Sequence, residues 1–227
     1  MSDLLLVDVG GTNMRYAYCE SGANEIHKSE KISLKNLDNF DTIIGDLIDN
    51  SDLSITNAVF SIAGPKIGNT ISMTNRSFVA NADILLEKFK LDQCYLLNDW
   101  ESIGYSLKGT PEDKIEYIKS GVQINSNSLV LGPGTGLGAA FTSTDSVIAT
   151  ELGNTTNWTS SLLKNFAINN DNGHYKTLED IVSGSGISKL YESISGESIS
   201  AEEVIKRFNQ NEDLASNIIN GFIKSLA

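Results

Sequence analysis

The sequence predicts an α/β fold in which one structural theme is used twice. Three observations carry that prediction. A short apolar run over residues 4–9 ends in Gly10-Gly11 and is followed by an alternating run over 14–19, the pattern of two strands joined by a glycine turn. The same order recurs from residues 129–131 through the glycine-rich 132–138 to 139–142. Around these strands lie segments with apolar residues at helical spacing, such as Leu37, Phe40, Ile43, Ile44, Leu47 and Ile48. At roughly 100–200 residues per domain, 227 residues divide into two small α/β domains, expected over 1–107 and 108–227.

The elements follow in order. Strands are expected at 4–9, 14–19 and 26–32, then a helix over 36–49. The next strand, 58–62, is stopped by Gly64-Pro65, and a short one follows at 69–73. Residues 81–89 read as a helix with Asn81 as N-cap. The apolar run 94–97 is a buried strand that ends at Asn98-Asp99. A polar stretch over 108–128 precedes the second half, with strands at 129–131, 139–142 and 147–150. Helices are expected over 159–168, 177–182, 186–194, 200–209 and 212–226.

Composition narrows the function. Hydrophobic residues are 40% and charged residues 20%, ordinary for a globular chain. Seventeen basic against 29 acidic residues leave a net charge of −12, which disfavours nucleic acid and anionic membrane surfaces as partners. An anionic substrate must then be met by backbone N–H groups or a metal ion. Cys19 and Cys94 form no disulfide framework; they read as buried free thiols in a cytoplasmic protein. The N-terminus lacks the basic segment of a signal peptide, and no run approaches the ~20 apolar residues of a membrane span.

Four motifs carry chemistry. In Asp8-Val-Gly-Gly-Thr-Asn13 the glycine pair allows a tight turn with N–H groups facing outward for a phosphate, and Asp8 is placed to hold a hydrated Mg²⁺; taken alone, an ordinary hairpin turn explains it. The segment 132–138 carries four glycines in seven residues, more than a turn requires. It matches a dinucleotide-binding fingerprint formally, but a strand rather than a helix follows, which excludes that reading. A Walker phosphate loop is absent from the sequence. Asn98-Asp99 lies just beyond a buried strand, where α/β sites gather, and Asp99 is suited to accept a proton from an attacking hydroxyl; an N-cap explains the pair equally well in isolation. Glu151-Leu-Gly-Asn154 and Glu179 offer the acceptors and amides that the hydroxyls of a polyol need, though each singly is what an exposed polar position shows. His27 and His174 have no partner at metal-ligand spacing.

In their order along residues 4–194, LLLVDVGGTNMRYAY, AVFSIAGP, SMTNRSF, LLNDW, LVLGPGTGLGAA, the 151–154 segment and LEDIVSGSGISKLY resemble the bacterial ATP-dependent glucokinase family of the sugar kinase, Hsp70 and actin superfamily. The resemblance implies a two-lobed actin-like (ribonuclease H-like) fold that closes on its sugar. It implies transfer of the γ-phosphoryl group of ATP to the 6-hydroxyl of glucose or a related hexose. Asp99 would be the base. Asn98, Glu151, Asn154 and Glu179 would hold the sugar, with Asn75 near the same pocket. Gly10, Gly11, Thr12, Asn13, Gly132, Gly134, Thr135 and Gly136 would face the ATP phosphates, and Asp8 would orient Mg²⁺ through water.

Three departures from the family pattern carry expectations of their own. Asn154 replaces a sugar-binding histidine, which predicts a weaker hold on the sugar. Leu152 replaces a glycine and is expected to crowd the pocket. Family members continue beyond the helix that resembles 212–226, adding a strand with a glycine pair against adenine and a final helix. The expectation is therefore an incomplete second lobe with an open sheet edge and a part-built adenosine site. A homodimer or partner chain is one way to supply the rest. A sugar-binding relative without turnover and a kinase for another hexose are the alternatives to glucokinase activity.

Overall fold

The computed structural model describes residues 3–227 apart from 12, 21, 24, 35–39, 74–76 and 169–172. The chain forms two compact units, one of residues up to Asn127 together with Thr142–Ala149, the other of Ser128–Phe141 and Thr150–Ala227. The boundary thus falls at 127/128, not at 107/108. The cause is local. Lys108 bonds the Thr144 carbonyl and Ser126 bonds the Thr144 hydroxyl. A Cβ added at Gly104 would lie 2.5 Å from Val147. The polar stretch and the turn at 142–149 are therefore drawn into the first unit.

The first unit is built on a five-stranded sheet in the order β3-β2-β1-β4-β8. Its strands are β1 (Asp3–Val9), β2 (Asn13–Glu20), β3 (Ser29–Ser33), β4 (Ile55–Ile62) and β8 (Gln93–Asn98). β1 and β2 form the expected antiparallel hairpin, whereas β1–β4 and β4–β8 are parallel. The register pairs Val9 with Ile62 and Ile62 with Asn98, so the carboxyl ends of three parallel strands finish level. Leu5, Val7 and Val9 alternate into the core with Phe60 and Ile62, each contributing about 1.5–3 kcal/mol of burial. The helices α1 (Phe40–Asp49) and α2 (Ala82–Phe89) add Phe40, Ile44 and Leu85 to it. Asn81 caps α2 as the sequence predicts, its side chain accepting from the N–H groups of Asp83 and Ile84. β3 begins three residues later than expected: Lys28 turns left-handed at φ 71° and leaves Ile26 60% exposed. A small antiparallel sheet of β5 (Lys66–Ile67), β6 (Thr70–Ser72) and β7 (Val79–Asn81) follows β4, and α3 (Asp99–Ser106) follows β8. Cys19 and Cys94 are free thiols; burial raises both, and with help from the nearby Asp83 charge it pushes Cys94 up to about 11.

The second unit starts with the hairpin of β9 (Ser128–Pro133) and β10 (Leu137–Thr142). The helices are α4 (Thr159–Leu162), α5 (Gly184–Ser195), α6 (Ala201–Asn209) and α7 (Asp213–Leu226). Their apolar faces enclose Leu137, Ile181, Leu190, Tyr191, Val204 and Ile218. Arg207 joins three helices: it makes two bonds to Glu197 at 2.7 and 2.8 Å and donates to the Tyr191 hydroxyl, which itself donates to Glu212.

Two helices differ from expectation. The predicted 159–168 helix tightens after Leu162 into a 3-10 turn over Leu163–Phe166 and ends at Ala167, φ 59°. In a 3-10 turn positions i and i+3 eclipse, which brings Leu163 and Phe166 together into the core. Residues 177–182 form turns, not a helix. The Asp180 carboxylate accepts from the N–H groups of Lys176 and Thr177 and from the Thr177 hydroxyl, local bonds that compete with helix. Ser183 is then fully extended and caps α5 through the Gly186 N–H.

Candidate functional site

In the first unit the level strand ends bring together the Gly10 turn after β1, Gly64 after β4 and Asn98-Asp99 after β8. Asp8 sits on β1 opposite Arg15 of β2 and beside Ser61 of β4. Its carboxylate accepts from Arg15 Nη1 at 3.3 Å and from the Ser61 hydroxyl at 3.5 Å. The Gly10 N–H donates to the Asn13 carbonyl at 2.9 Å. This N–H therefore closes the turn within the hairpin. Gly11 is different: it is exposed, its φ is not left-handed, and no described atom lies within 4 Å of a Cβ built there. Thr12 and Asn75 lie outside the described residues.

Asn98 and Asp99 occupy the N-cap and first position of α3. The Asn98 oxygen accepts from Trp100 and Glu101 N–H groups, its amide donates to the Gly64 carbonyl at 2.8 Å, and Glu101 accepts from the Asn98 N–H at 3.1 Å. This is a full capping box, and it leaves Asn98 only 5% exposed. Asp99 is half-buried and accepts from Trp100 N–H at 3.0 Å. Burial pushes its carboxyl above the ordinary value. The N–H groups of Trp100 and of Asp99 itself pull it back, and the negative charge of Asp8 adds to the rise.

In the second unit the turn after β9 is held from one side. Gly184 N–H donates to the Gly134 carbonyl at 2.8 Å, and the Ser185 N–H and hydroxyl donate to the Thr135 carbonyl at 3.3 and 2.7 Å. In a trans peptide the N–H points opposite to its carbonyl. Fixing those carbonyls against the start of α5 therefore directs the N–H groups of Thr135 and Gly136 the other way. The Gly134 N–H is spent on the Gly132 carbonyl at 3.1 Å. A Cβ at Gly134 would meet no described atom within 4 Å. A cleft of about 540 Å³ opens beside this turn, lined by Gly134, Thr135, Ser185, Ser188, Ala201 and Ile205 among others.

The predicted carboxylates of this unit gather next to the same turn. Glu179 is half-buried, and its Oε2 accepts from Leu137 N–H at 3.4 Å. A Cβ at Gly136 would stand 2.7 Å from that oxygen. Backbone bonds from Glu179 N–H to the Gly153 carbonyl and from Leu178 N–H to the Thr155 carbonyl tie this segment to 151–155. Asn154 donates to Glu151 at 3.0 Å, both exposed. Gly153 is fixed by packing, since an added Cβ would come within 2.5 Å of the Leu137 carbonyl.

Arg15, Ser61, Lys66 and Glu101 join this machinery without having been singled out in the sequence. The N-x-x-E spacing of Asn98 and Glu101 was a readable capping signal. Arg15 follows once the hairpin register is fixed. No group of three metal-ligating side chains occurs among the described residues, and no described helix is long and apolar enough to cross a membrane.

A family model described as Glucokinase matches residues 5–226. A glucokinase of Mesorhizobium japonicum is 31% identical over 139 residues, which are 60% of this chain and 41% of that protein. The chain thus spans less than half the length of this curated relative. Among solved structures, glucokinase from an Antarctic psychrotroph superposes with a TM-score of 0.77 at 24% identity, covering 100% of this chain and 76% of that one. Glucokinase from Balamuthia mandrillaris in complex with glucose gives 0.69 at 21% identity, covering 99% and 74%. The α/β fold is therefore the actin-like class expected from the sequence.

Proposed function

The chain belongs to the glucokinase family, and we propose that it transfers the γ-phosphoryl group of ATP to the 6-hydroxyl of glucose. The observation that carries this reading is Asp99. It is a half-buried carboxylate at the carboxyl end of a parallel strand, held by a complete helix cap, with its proton affinity raised. A raised value makes the carboxylate a stronger proton acceptor. As the hydroxyl oxygen bonds to phosphorus and the bond to the leaving ADP oxygen breaks, Asp99 takes the hydroxyl proton and later returns it to solvent.

The other assignments follow from each group's chemistry. Glu151 and Glu179 accept from sugar hydroxyls, Asn154 both donates and accepts, and Asn98 offers the second N–H of its amide. Gly11 and Gly134 lack side chains that the chain around them would tolerate, which supports close approach by a phosphate. The N–H groups of Thr135 and Gly136 are the donors for it, and the cleft beside them takes the nucleoside. Asp8 is a half-exposed carboxylate near Asp99, a donor set that suits a hydrated Mg²⁺ held by one or two carboxylates together with substrate phosphates. That ion, when bound, neutralises phosphate charge.

The test is glucose-dependent ADP formation by the purified chain with MgATP, against Asp99→Asn. Loss of the base lowers kcat about 10²–10⁴-fold. A wild-type chain without turnover, or a variant as active as wild type, rejects the reading. A panel of hexoses and amino sugars in the same assay fixes the substrate.

A further inference from the structure

Glu101 is a carboxylate only 9% exposed, and the charge that meets it comes from 35 residues away: Lys66 Nζ lies 3.2 and 3.1 Å from its two oxygens. A helix N-terminus does not need this lysine. The capping box is already closed between Glu101 and Asn98, and an ion pair whose carboxylate is buried while its lysine reaches solvent contributes little net stability, because desolvation of the carboxylate offsets the attraction. Lys66 does something the box cannot do alone. It ties the N-terminus of α3 to β5, and the same short segment grips the cap again through the Gly64 carbonyl and Asn98. Gly64 is itself closely packed: at φ +149° an added Cβ would lie 2.1 Å from the Ser72 carbonyl. Asp99 stands between the two gripped residues.

We propose that Lys66 and Glu101 are a positioning pair, which fixes the first turn of α3 against β5 and thereby sets where the Asp99 carboxylate stands. The functional part of this inference rests on the reading of Asp99 as the base. Neither side chain touches substrate; both act through the cap. Breaking the pair lets the cap turn rock, and misplacing a reacting group by about 1 Å costs up to about 100-fold in rate.

The experiment uses the full chain with Lys66→Met, Lys66→Arg and the double variant Lys66→Met/Glu101→Gln. Glutamine keeps the bond from Asn98 N–H but needs no counter-charge, so the double variant stays informative if Lys66→Met alone fails to fold. Two quantities are read: kcat and KM for glucose with MgATP, and hydrogen exchange of the Trp100 and Glu101 amides. The double variant is expected to lose about 10- to 100-fold in kcat with KM for glucose changed less than about twofold, and to exchange both amides faster. Lys66→Arg is expected to restore kcat and protection. Unchanged kcat and unchanged exchange in the double variant overturn the proposal, as does a loss confined to KM. If the wild-type chain does not phosphorylate glucose, or Asp99→Asn matches it, the reading of Asp99 fails. The exchange comparison then still decides whether Lys66 holds the cap, and unchanged protection rejects it.

Discussion

At the first glycine turn, Gly10 spends its N–H on the Asn13 carbonyl, and the turn is closed within its own hairpin. At the second, the carbonyls of Gly134 and Thr135 are held from outside by the Gly184 and Ser185 N–H groups and the Ser185 hydroxyl. The first turn inherits its place from strand register, since β1 lies between β2 and β4. The second depends on a helix start supplied by residues about 50 positions downstream. Similar glycine-rich sequences therefore have different sources of rigidity, and the second should be the easier to disturb from a distance.

The largest effect is expected at Gly186. A Cβ there would stand 2.7 Å from the Ile181 carbonyl, backbone that cannot step aside cheaply. Gly186→Ala gains about 1 kcal/mol of helix propensity but forces the start of α5 away from its seat, for a net loss on the order of 2–3 kcal/mol. Urea unfolding measures the loss, and exchange at Gly184 and Ser185 shows whether the second turn has lost its brace. Protection of the Gly10 amide should not change. If both turns loosen alike, the two turns do not differ in their support.

A smaller effect with a pH signature is expected at Asp180, in the turn that precedes α5. Burial pushes this carboxyl up, but the Lys189 ammonium and the Lys176 and Thr177 donors outweigh it and bring the group down to about 2. A lowered value means the carboxylate stabilises the fold above its ordinary 3.8 and ceases to as pH falls through about 2. Asp180→Asn should therefore cost about 1–2 kcal/mol at pH 7, with the gap to wild type narrowing below pH 4. Unfolding midpoints between pH 7 and 3 test this, and a gap independent of pH would remove the charge from the explanation.

The smallest change in stability is expected where the two turns are alike. Gly11→Ala and Gly134→Ala place a methyl in open space at a permitted φ, so each should leave stability equal or raise it by about 0.4–1 kcal/mol. Each should also weaken ATP binding about tenfold by keeping a phosphate from the backbone. Calorimetric titration with a non-hydrolysable ATP analogue, beside thermal melts, separates the two. Unchanged affinity at either position would mean that its glycine serves neither fold nor ligand.

How far the sequence was legible varied with the range of the forces involved. The hairpin around Gly10, the Asn81 cap and helices α5 to α7 were readable because periodicity and capping act over a few residues. The 177–182 segment was misread because its apolar spacing is helical, while the bonds that win come from the Asp180 side chain. The unit boundary was misplaced by some 20 residues because nothing in the polar 108–127 stretch announces that Lys108 and Ser126 reach Thr144.

For the site, the sequence by itself determined the chemical parts. Asp8, Asp99, Glu151 and Glu179 stand in motif order, and strand endings and glycine runs mark where they emerge. Only the tertiary structure decided which polar groups remain for a ligand. Gly10 and Gly134 gave up their N–H groups to their own turns, Asn98 gave its oxygen to α3, and Lys66 went to a carboxylate 35 residues away. The physical reason is that hydrogen-bonding capacity is finite and is claimed first by buried backbone and buried charge. That competition is settled between segments distant in sequence, where no local pattern records it.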